Sequence, residues 1–248
     1  MPRLYRQINI FILDTLFPIT CLLCHKESVW LCPSCVQKIT LLSFQVCPYC
    51  EKEITTAGRI CEKCKKKQFE KNSAPALDAL LSATEYREIS KLVHLFKYNF
   101  VLELGVPLGK LITRSLWQNN LPLPNLIIPV PIHRRKLKWR GFNQAELLAL
   151  TISQNLTPGI EIPVNANLLY RKKHTKAQMK IKAYKERLAN LSDAFALSLG
   201  AKEIISGKRI LLIDDIATTG ATLLECAKVL KSAGATEVTG AIIARQKI

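Results

Sequence analysis

The chain has 248 residues, 48% of them hydrophobic, and carries a formal net charge of +17. Its length suffices for one α/β domain of ordinary size with a small accessory module, and its apolar content is that of a protein with a packed core. Nine cysteines would suit a disulfide-bonded secreted protein, but no secretory signal is recognised, which excludes that class.

An apolar segment at residues 8–17 opens the chain. It contains Asp14, is followed by Pro18 and is too short to span a bilayer. We therefore predict an amphipathic helix here, no transmembrane segment and a cytoplasmic location. Association of this segment with a membrane surface is left open.

Eight of the nine cysteines follow in four CxxC pairs. In a reducing compartment this spacing indicates tetrahedral thiolate sites, and four pairs predict two structural zinc ions that supply most of the folding energy of the region. The simplest pairing is sequential, while a cross-braced pairing of first with third and second with fourth stays open. Free or redox-active thiols and an iron–sulfur cluster are the alternatives. The predicted ligands are Cys21, Cys24, Cys32, Cys35, Cys47, Cys50, Cys61 and Cys64.

A lysine-rich run leaves this module and ends near Pro75. We place the domain boundary there, with an N-terminal helix and double zinc ribbon in residues 1–72 and a second domain in residues 73–248. Beyond it the pattern predicts a strand over 79–86, a helix over 88–97 and a further helix marked by apolar residues between 104 and 112.

A second predicted strand, residues 125–130, runs into a basic loop with five Lys or Arg between His133 and Asn143. Asn143 followed by Glu146 is a helix-start signal of the capping-box kind, so another helix should follow. A strand, a basic loop and a helix start together predict an anion site.

Basic residues are clustered rather than spread along the chain. The segments 61–71, 133–143 and 171–187 carry 18 of the 36 Lys and Arg residues. Such clustering favours a polyanionic partner, although a solvated helix face explains part of it. The aromatics Trp139, Phe142, Tyr170 and Tyr184 lie among these charges and are candidates for stacking bases, or for ordinary packing.

Residues 209–222, RILLIDDIATTGAT, join an apolar run, two acids and a small-residue turn. The run predicts a buried parallel strand, and apolar residues at helical spacing after the turn predict a helix that stops at Gly234. Backbone N–H groups at that helix start suit a phosphate, and the adjacent carboxylates suit ribose hydroxyls. Residues 237–245 predict a last strand.

This stretch resembles the phosphoribosyl pyrophosphate (PRPP) loop of type I phosphoribosyltransferases. The resemblance implies an α/β fold with a central parallel sheet and helices on both faces. It also implies that Asp214 and Asp215 hold the ribose hydroxyls. The 5-phosphate would be held by Ala217, Thr218, Thr219, Gly220, Ala221 and Thr222.

The phrase PVPIHRRKLKWRGFNQAELLA, together with the cysteine module and LFPITCLLC, resembles the ComF family of competence-associated proteins. Further agreement comes from the Lys97-Tyr98 pair and from Arg171, Thr175, Gln178, Arg187 and Asn190. The resemblance implies that a basic loop and Mg²⁺ hold the pyrophosphate, the loop contributing His133, Arg134, Arg135 and Arg140. It also implies that single-stranded DNA is contacted by Lys138, Arg140, Arg171, Lys172, Lys173 and Lys176.

These resemblances imply two candidate functions. The first is a ComF-like protein with a PRPP/Mg²⁺ site that takes up and handles single-stranded DNA, with other competence or recombination proteins as partners. The second is a phosphoribosyltransferase of nucleotide metabolism that acts on an unidentified small acceptor. Whether catalysis occurs is left open by the sequence.

Overall fold

The fold is that of a computed structural model, which describes residues 19–70, 74–173 and 193–246. The predicted helix at residues 8–17 and the candidate Lys176 lie outside these ranges. The strands, in chain order, are β1 (Gln45–Val46), β2 (Ile54–Thr55), β3 (Ala79–Glu85), β4 (Leu126–Pro129), β5 (Leu169–Arg171), β6 (Phe195–Leu197), β7 (Arg209–Ile213), β8 (Ile216–Ala217) and β9 (Glu237–Arg245). The α-helices are α1 (Pro33–Lys38), α2 (Glu62–Phe69), α3 (Tyr86–Tyr98), α4 (Gly105–Asn119), α5 (Arg134–Arg140), α6 (Gln144–Asn155), α7 (Ala201–Ile205) and α8 (Ala221–Ser232).

A parallel sheet with the strand order β3-β9-β7-β4 forms the centre of the second domain, and β8 also pairs with β9. Successive residues of β7 pack into different cores: Leu211 joins the apolar cluster that includes α3, α4 and α6, while Leu212 joins the one that includes α8. A strand covered on both faces explains the unbroken apolar run in the sequence. The predicted α/β fold is confirmed.

The two candidate loops meet at one edge of this sheet. β4 pairs with β7 in parallel, with Pro129 opposite Ile213. The chain leaves both strands at their carboxyl ends, so the basic segment after β4 lies beside the acidic pair after β7. This edge is where open α/β sheets bind ligands.

The basic segment after β4 differs from its prediction as a loop. Residues 134–140 form the short helix α5, with His133 as its N-cap and Gly141 at a φ of 82° ending it. The cap acceptor is His133 Nδ1, which receives the backbone N–H of Arg135 at 3.2 Å. The helix start at Asn143 is confirmed, because its side chain accepts from the N–H of Ala145 at 3.2 Å.

The cysteine module packs along β3, the edge strand of the sheet. The buried Gln45 side chain mimics a backbone partner: its Oε1 accepts from the N–H of Ser82 at 2.9 Å, and its Nε2 donates to the carbonyl of Ser82 at 3.0 Å. The N–H of Leu42 also donates to the carbonyl of Ala83 at 3.0 Å. These contacts occupy backbone groups that an uncovered edge would expose.

No helix within the three described ranges is both long enough and apolar enough to cross a membrane.

Candidate functional site

The eight cysteines of the CxxC pairs form two groups of four. Within each group all sulfur atoms lie within 4.8 Å of one another, and the groups are Cys21, Cys24, Cys32 and Cys35, and Cys47, Cys50, Cys61 and Cys64. The Sγ atoms of Cys24 and Cys32 are 3.6 Å apart, and those of Cys50 and Cys61 are 3.9 Å apart. Tetrahedral zinc with Zn–S bonds of about 2.3 Å requires S···S distances of about 3.8 Å. The geometry therefore fits zinc, and the sequential pairing is confirmed.

Both groups repeat one local design. The backbone N–H of Cys32 donates to Sγ of Cys21 at 3.5 Å, and that of Cys61 donates to Sγ of Cys47 at 3.4 Å. The third cysteine of each group directly precedes a short helix, α1 or α2, and the fourth lies in its first turn. Donors aimed at sulfur favour the thiolate form, which is the form that binds metal.

A second site lies at the carboxyl edge of the sheet, in a cavity of about 180 Å³. Two carboxylates and four cationic side chains line it together. The charged lining residues are Asp214, Asp215, Lys97, Lys136, Arg140 and Arg171. Its polar lining includes Tyr98, Asn143, Gln144, Thr218, Thr222 and Gln246.

The two aspartates have different surroundings. Asp215 Oδ1 lies 2.9 Å from Nζ of Lys97 and accepts the N–H of Ile216 at 2.6 Å. Asp214 Oδ1 accepts the N–H of Asp215 at 2.9 Å. Burial and the neighbouring Asp215 charge raise the pKa of Asp214 to about 7. Burial alone would lower the pKa of Lys97, but attraction by Asp215 outweighs it and holds that pKa above its usual value.

The cations on the other side of the cavity are partly desolvated. Burial lowers the pKa of Arg140 and of Arg171, yet a guanidinium remains charged because its ordinary pKa lies far above neutrality. Burial and the charges of Arg171 and Arg140 lower the pKa of Lys136. Four cations face two carboxylates, so the cavity carries an excess of positive charge.

Several polar atoms near this cavity are buried without a partner. In the part of the chain that the structure describes, Arg140 Nε, Gln144 Nε2 and Thr219 Oγ1 have no hydrogen bond, although another nitrogen of Arg140 donates to Gln144 Oε1 at 2.6 Å. Leaving a buried polar atom unpaired costs about 1–3 kcal/mol. A polar ligand in the cavity would offset that cost.

The predicted phosphate turn is only partly exposed to the cavity. Thr218 and Thr222 line it, and a smaller adjoining hollow is lined by Ala217, Thr218, Gly220 and Thr222. Gly220 precedes α8 with a φ of 68°, a conformation that favours glycine, and Ala221 begins the helix. The unpartnered Thr219 hydroxyl belongs to the same turn.

The remaining predicted residues of the basic segment lie elsewhere. Arg134, Arg135 and Lys138 are exposed on α5 and do not line the cavity, and His133 caps that helix. Arg140 is the one residue of the predicted pyrophosphate set that reaches the cavity. Lys136, one helical turn before it, also does, although its sequence position alone did not single it out.

The segment after β5 is described only as far as residue 173. Arg171 lines the cavity and lies over the ring of Phe195 at 5.4 Å. Lys172 and Lys173 instead form ion pairs with Asp193, at 2.5 and 3.6 Å. The lysines therefore neutralise a nearby acid, whereas Arg171 is directed to the pocket.

Sequence reasoning gave no role to Lys97, Tyr98, Gln144 or Gln246. The Lys97-Tyr98 pair was visible at the end of α3, but nothing in its spacing places it opposite residues more than a hundred positions later. Gln144 and Gln246 carry no chemical signal of their own. Only the convergence of α3, α6 and the end of β9 on the sheet edge brings these residues to Asp214 and Asp215.

A parallel sheet with an acidic pair and a small-residue turn at its carboxyl edge, preceded by two four-cysteine groups, defines a phosphoribosyltransferase-fold protein with a double zinc ribbon. Family comparison agrees: the "Double zinc ribbon domain" matches residues 12–65 and the "Phosphoribosyl transferase domain" matches residues 155–248.

Full-length relatives extend this assignment over most of the chain. Competence protein F of Haemophilus influenzae is 33% identical over 219 residues, which cover 86% of this chain and 90% of that protein. DNA utilization protein YhgH of Salmonella typhi is 29% identical, covering 89% and 94%. Competence protein ComFC of Bacillus subtilis is 27% identical, covering 84% and 81%. The chain belongs to the ComF family.

Proposed function

We propose that the cavity at the carboxyl edge of the sheet binds PRPP together with Mg²⁺. The observation that carries this proposal is the placement of Asp214 and Asp215 opposite Lys97, Lys136, Arg140 and Arg171 around one cavity. A sugar diphosphate needs both kinds of group, because its hydroxyls donate hydrogen bonds and its phosphates accept them. A purely cationic pocket would bind only the phosphates, and a purely acidic pocket would bind only the hydroxyls.

Each part of the ligand has a matching group in the site. Asp214 and Asp215 accept hydrogen bonds from the ribose hydroxyls. The turn with Thr218, Thr219 and Thr222 donates hydrogen bonds to the 5-phosphate at the start of α8. Arg140 and Lys136 face the pyrophosphate, where charge-assisted hydrogen bonds are the strongest available. Participation of His133, Arg134 and Arg135 remains a prediction, since they lie outside the cavity lining.

The donor set also fits Mg²⁺, which prefers carboxylate and phosphate oxygens and is usually held by one or two carboxylates with the phosphates of a substrate. Asp214 and Asp215 are the carboxylates available in the cavity. When bound, the ion would neutralise charge on the departing pyrophosphate. The arginines of the pocket serve the same electrostatic purpose from the protein side.

Calorimetric titration of the zinc-loaded protein with PRPP and Mg²⁺ tests this proposal. We expect binding by the native chain and at least about a 100-fold loss in Asp214→Asn/Asp215→Asn, because two charge-assisted hydrogen bonds disappear. The matched control is Glu103→Gln/Glu161→Gln, which removes two exposed acids and the same net charge. Absence of binding by the native chain, or equal binding by both double variants, would contradict the proposal.

Handling of single-stranded DNA is the second part of the proposed function. It is supported by the cations around the cavity and on α5, and by relatives named for competence and for DNA utilization. If phosphate contacts dominate, binding of a labelled oligonucleotide will weaken steeply with salt. The alternative function, transfer of the phosphoribosyl group to a small acceptor, instead predicts pyrophosphate release when that acceptor is supplied without DNA.

A further inference from the structure

Three aromatic side chains beside the pocket are exposed to solvent. Tyr98 is 46% exposed, Phe100 is 38% exposed and Trp139 is 64% exposed. Large aromatic rings normally bury their apolar area, so a group of them at the surface marks a binding site more often than a single exposed ring does. They come from two regions, the end of α3 with the turn after it and the helix α5.

These rings form one connected surface. Phe100 and Trp139 meet edge to face, with centroids 5.1 Å apart. The guanidinium of Arg140 lies 5.9 Å from the centroid of Trp139 and 6.0 Å from that of Tyr98, so it joins the two rings. We call Tyr98, Phe100, Trp139 and Arg140 the aromatic platform.

The platform is anchored in the core rather than loosely attached. The ring of Phe100 packs against that of Phe142, with ring centroids 6.4 Å apart. The ring of Phe142 packs in turn against that of the fully buried Phe96, with centroids 6.0 Å apart. Phe100 also has a φ of 58°, a conformation that a bulky residue adopts only when its surroundings enforce it. The packing that holds this backbone conformation also fixes the position of the Phe100 ring.

The charges around the platform indicate the chemistry of its ligand. The sequence of α5, RRKLKWR, holds five cations and no acid, and Arg134, Arg135 and Lys138 are exposed. An unpaired nucleic acid strand presents phosphates for such cations and flat bases for exposed rings, whereas a duplex hides its base faces in the stack. Aromatic rings with interleaved cations are thus the usual recognition surface for single strands.

Two members connect the platform to the pocket. Tyr98 and Arg140 line the cavity that also contains Asp214 and Asp215. We propose that Tyr98, Phe100, Trp139 and Arg140 form a stacking platform for the bases of an unpaired strand, with the phosphates on the exposed cations of α5. The platform places an unpaired base at the mouth of the pocket. This inference rests on the proposed handling of single-stranded DNA and adds to it where the bases, as opposed to the phosphates, are held.

Fluorescence anisotropy with two labelled strands of about 15 nucleotides separates base contacts from phosphate contacts. One strand is oligothymidine, and the other is an abasic strand of equal length and charge. We expect the native chain to bind oligothymidine more tightly, and Trp139→Ala to weaken that binding by about tenfold while leaving the abasic strand unaffected, because one stacking contact is lost.

Trp117→Ala is the matched control variant. Trp117 is 55% exposed, similar to Trp139, but it lines a cavity beside the beginnings of β7 and β9, at the opposite edge of the sheet. It should leave binding of both strands unchanged. Thermal unfolding of both variants verifies that each is folded.

Three outcomes would overturn the inference. Equal affinity of the native chain for the two strands would show that bases are not held, while the proposed strand binding itself would stand. Equal binding of oligothymidine by Trp139→Ala and Trp117→Ala would place the bases elsewhere. Failure to bind either strand would remove both the platform and the DNA function, and the PRPP titration would still decide the pocket independently.

Discussion

Asp214 is a carboxylate of the pocket that is buried beside a second negative charge, that of Asp215. Its neighbour Asp215 is paired with Lys97 at 2.9 Å, whereas Asp214 forms no salt bridge with any residue that the structure describes. Burial and the adjacent negative charge raise its pKa to about 7 from the usual value of 3.8. Between about pH 4 and about pH 7, the folded chain therefore holds a proton at Asp214 that the unfolded chain releases.

This difference predicts how stability varies with pH. Between about pH 4 and about pH 7 the folded state binds more protons at Asp214 than the unfolded state, so the free energy of unfolding falls as pH rises and levels off above pH 7. Asp214→Asn removes the effect. The variant should match the native chain at the acid end of this window and exceed it by roughly 4 kcal/mol above pH 7, since each unit of the pKa difference is worth about 1.4 kcal/mol.

Urea unfolding of both chains between about pH 5 and about pH 8 measures the difference, and the comparison cancels the pH dependence of zinc binding, which both chains share. Glu103→Gln, at an exposed carboxylate, is the control and should show no such trend. A stability difference between Asp214→Asn and the native chain that does not change with pH would contradict the assignment.

At the level of single residues, the sequence singles out the acidic pair and the cysteines because the features that mark them are local. Two acids directly after an apolar run indicate a site at the end of a strand, and two cysteines separated by two residues indicate a metal site. Both patterns can be recognised without tertiary structure. Lys97 and Gln144 become informative only when α3 and α6 reach the same sheet edge. Their roles depend on packing, which the sequence pattern does not encode residue by residue.

At the level of elements, the contact between the cysteine module and β3 depends on a glycine. Gly58 has a φ of 67°, and a Cβ built there would lie 2.2 Å from the carbonyl oxygen of Leu80 in β3. That oxygen belongs to the backbone of the sheet and has no freedom to move aside. Gly58 therefore permits the close approach through which the module covers the edge strand.

Gly58→Ala should destabilise the protein by about 2–4 kcal/mol, because the left-handed conformation and the clash with Leu80 act together. Gly200→Ala is the control: its φ is 76°, but nothing lies within 4 Å of its Cβ position. The midpoint of thermal unfolding measures both. If the two variants lose the same stability, the contact with Leu80 has no energetic importance beyond the backbone conformation.

The elements also show where sequence reasoning ends. The strand predicted over 237–245 and the helix that stops at Gly234 were confirmed, because apolar periodicity fixes such elements. The helix α5 was missed, because its run of cations hides any periodicity, although His133 before it and Gly141 after it are reasonable end signals. β8 was missed since two residues make a strand only through their pairing with β9.

At the level of the whole molecule, the double zinc ribbon and the phosphoribosyltransferase fold share a core. Cys21, Val36 and Ile39 of the module belong to the same buried cluster as Leu92 and Leu108 of the second domain. Arg114 of α4 donates to two carbonyls of α1, at 2.6 and 3.2 Å. Loss of metal from the module should therefore destabilise the whole protein, including the sheet, and not the module alone.

The native chain should hold two zinc ions, and chelation should lower the stability of the whole protein by several kcal/mol, because each structural zinc contributes about 10–16 kcal/mol to the folding of isolated zinc modules. Colorimetric zinc release counts the ions, and thermal unfolding before and after chelation measures the loss. Cys226→Ala, at the buried cysteine outside both groups, should still hold two ions.

Exposure of the edge strand β3 is a second measurable consequence of zinc loss. If the module covers β3 as its hydrogen bonds indicate, removing zinc exposes an unpaired strand edge, and the chelated protein should aggregate on heating while the zinc-loaded protein unfolds at a higher temperature. An unfolding midpoint that is unchanged after complete zinc release would mean that the core and the Gln45 contacts hold the module without metal. The two zinc ions would then bind to the cysteines without stabilising the fold.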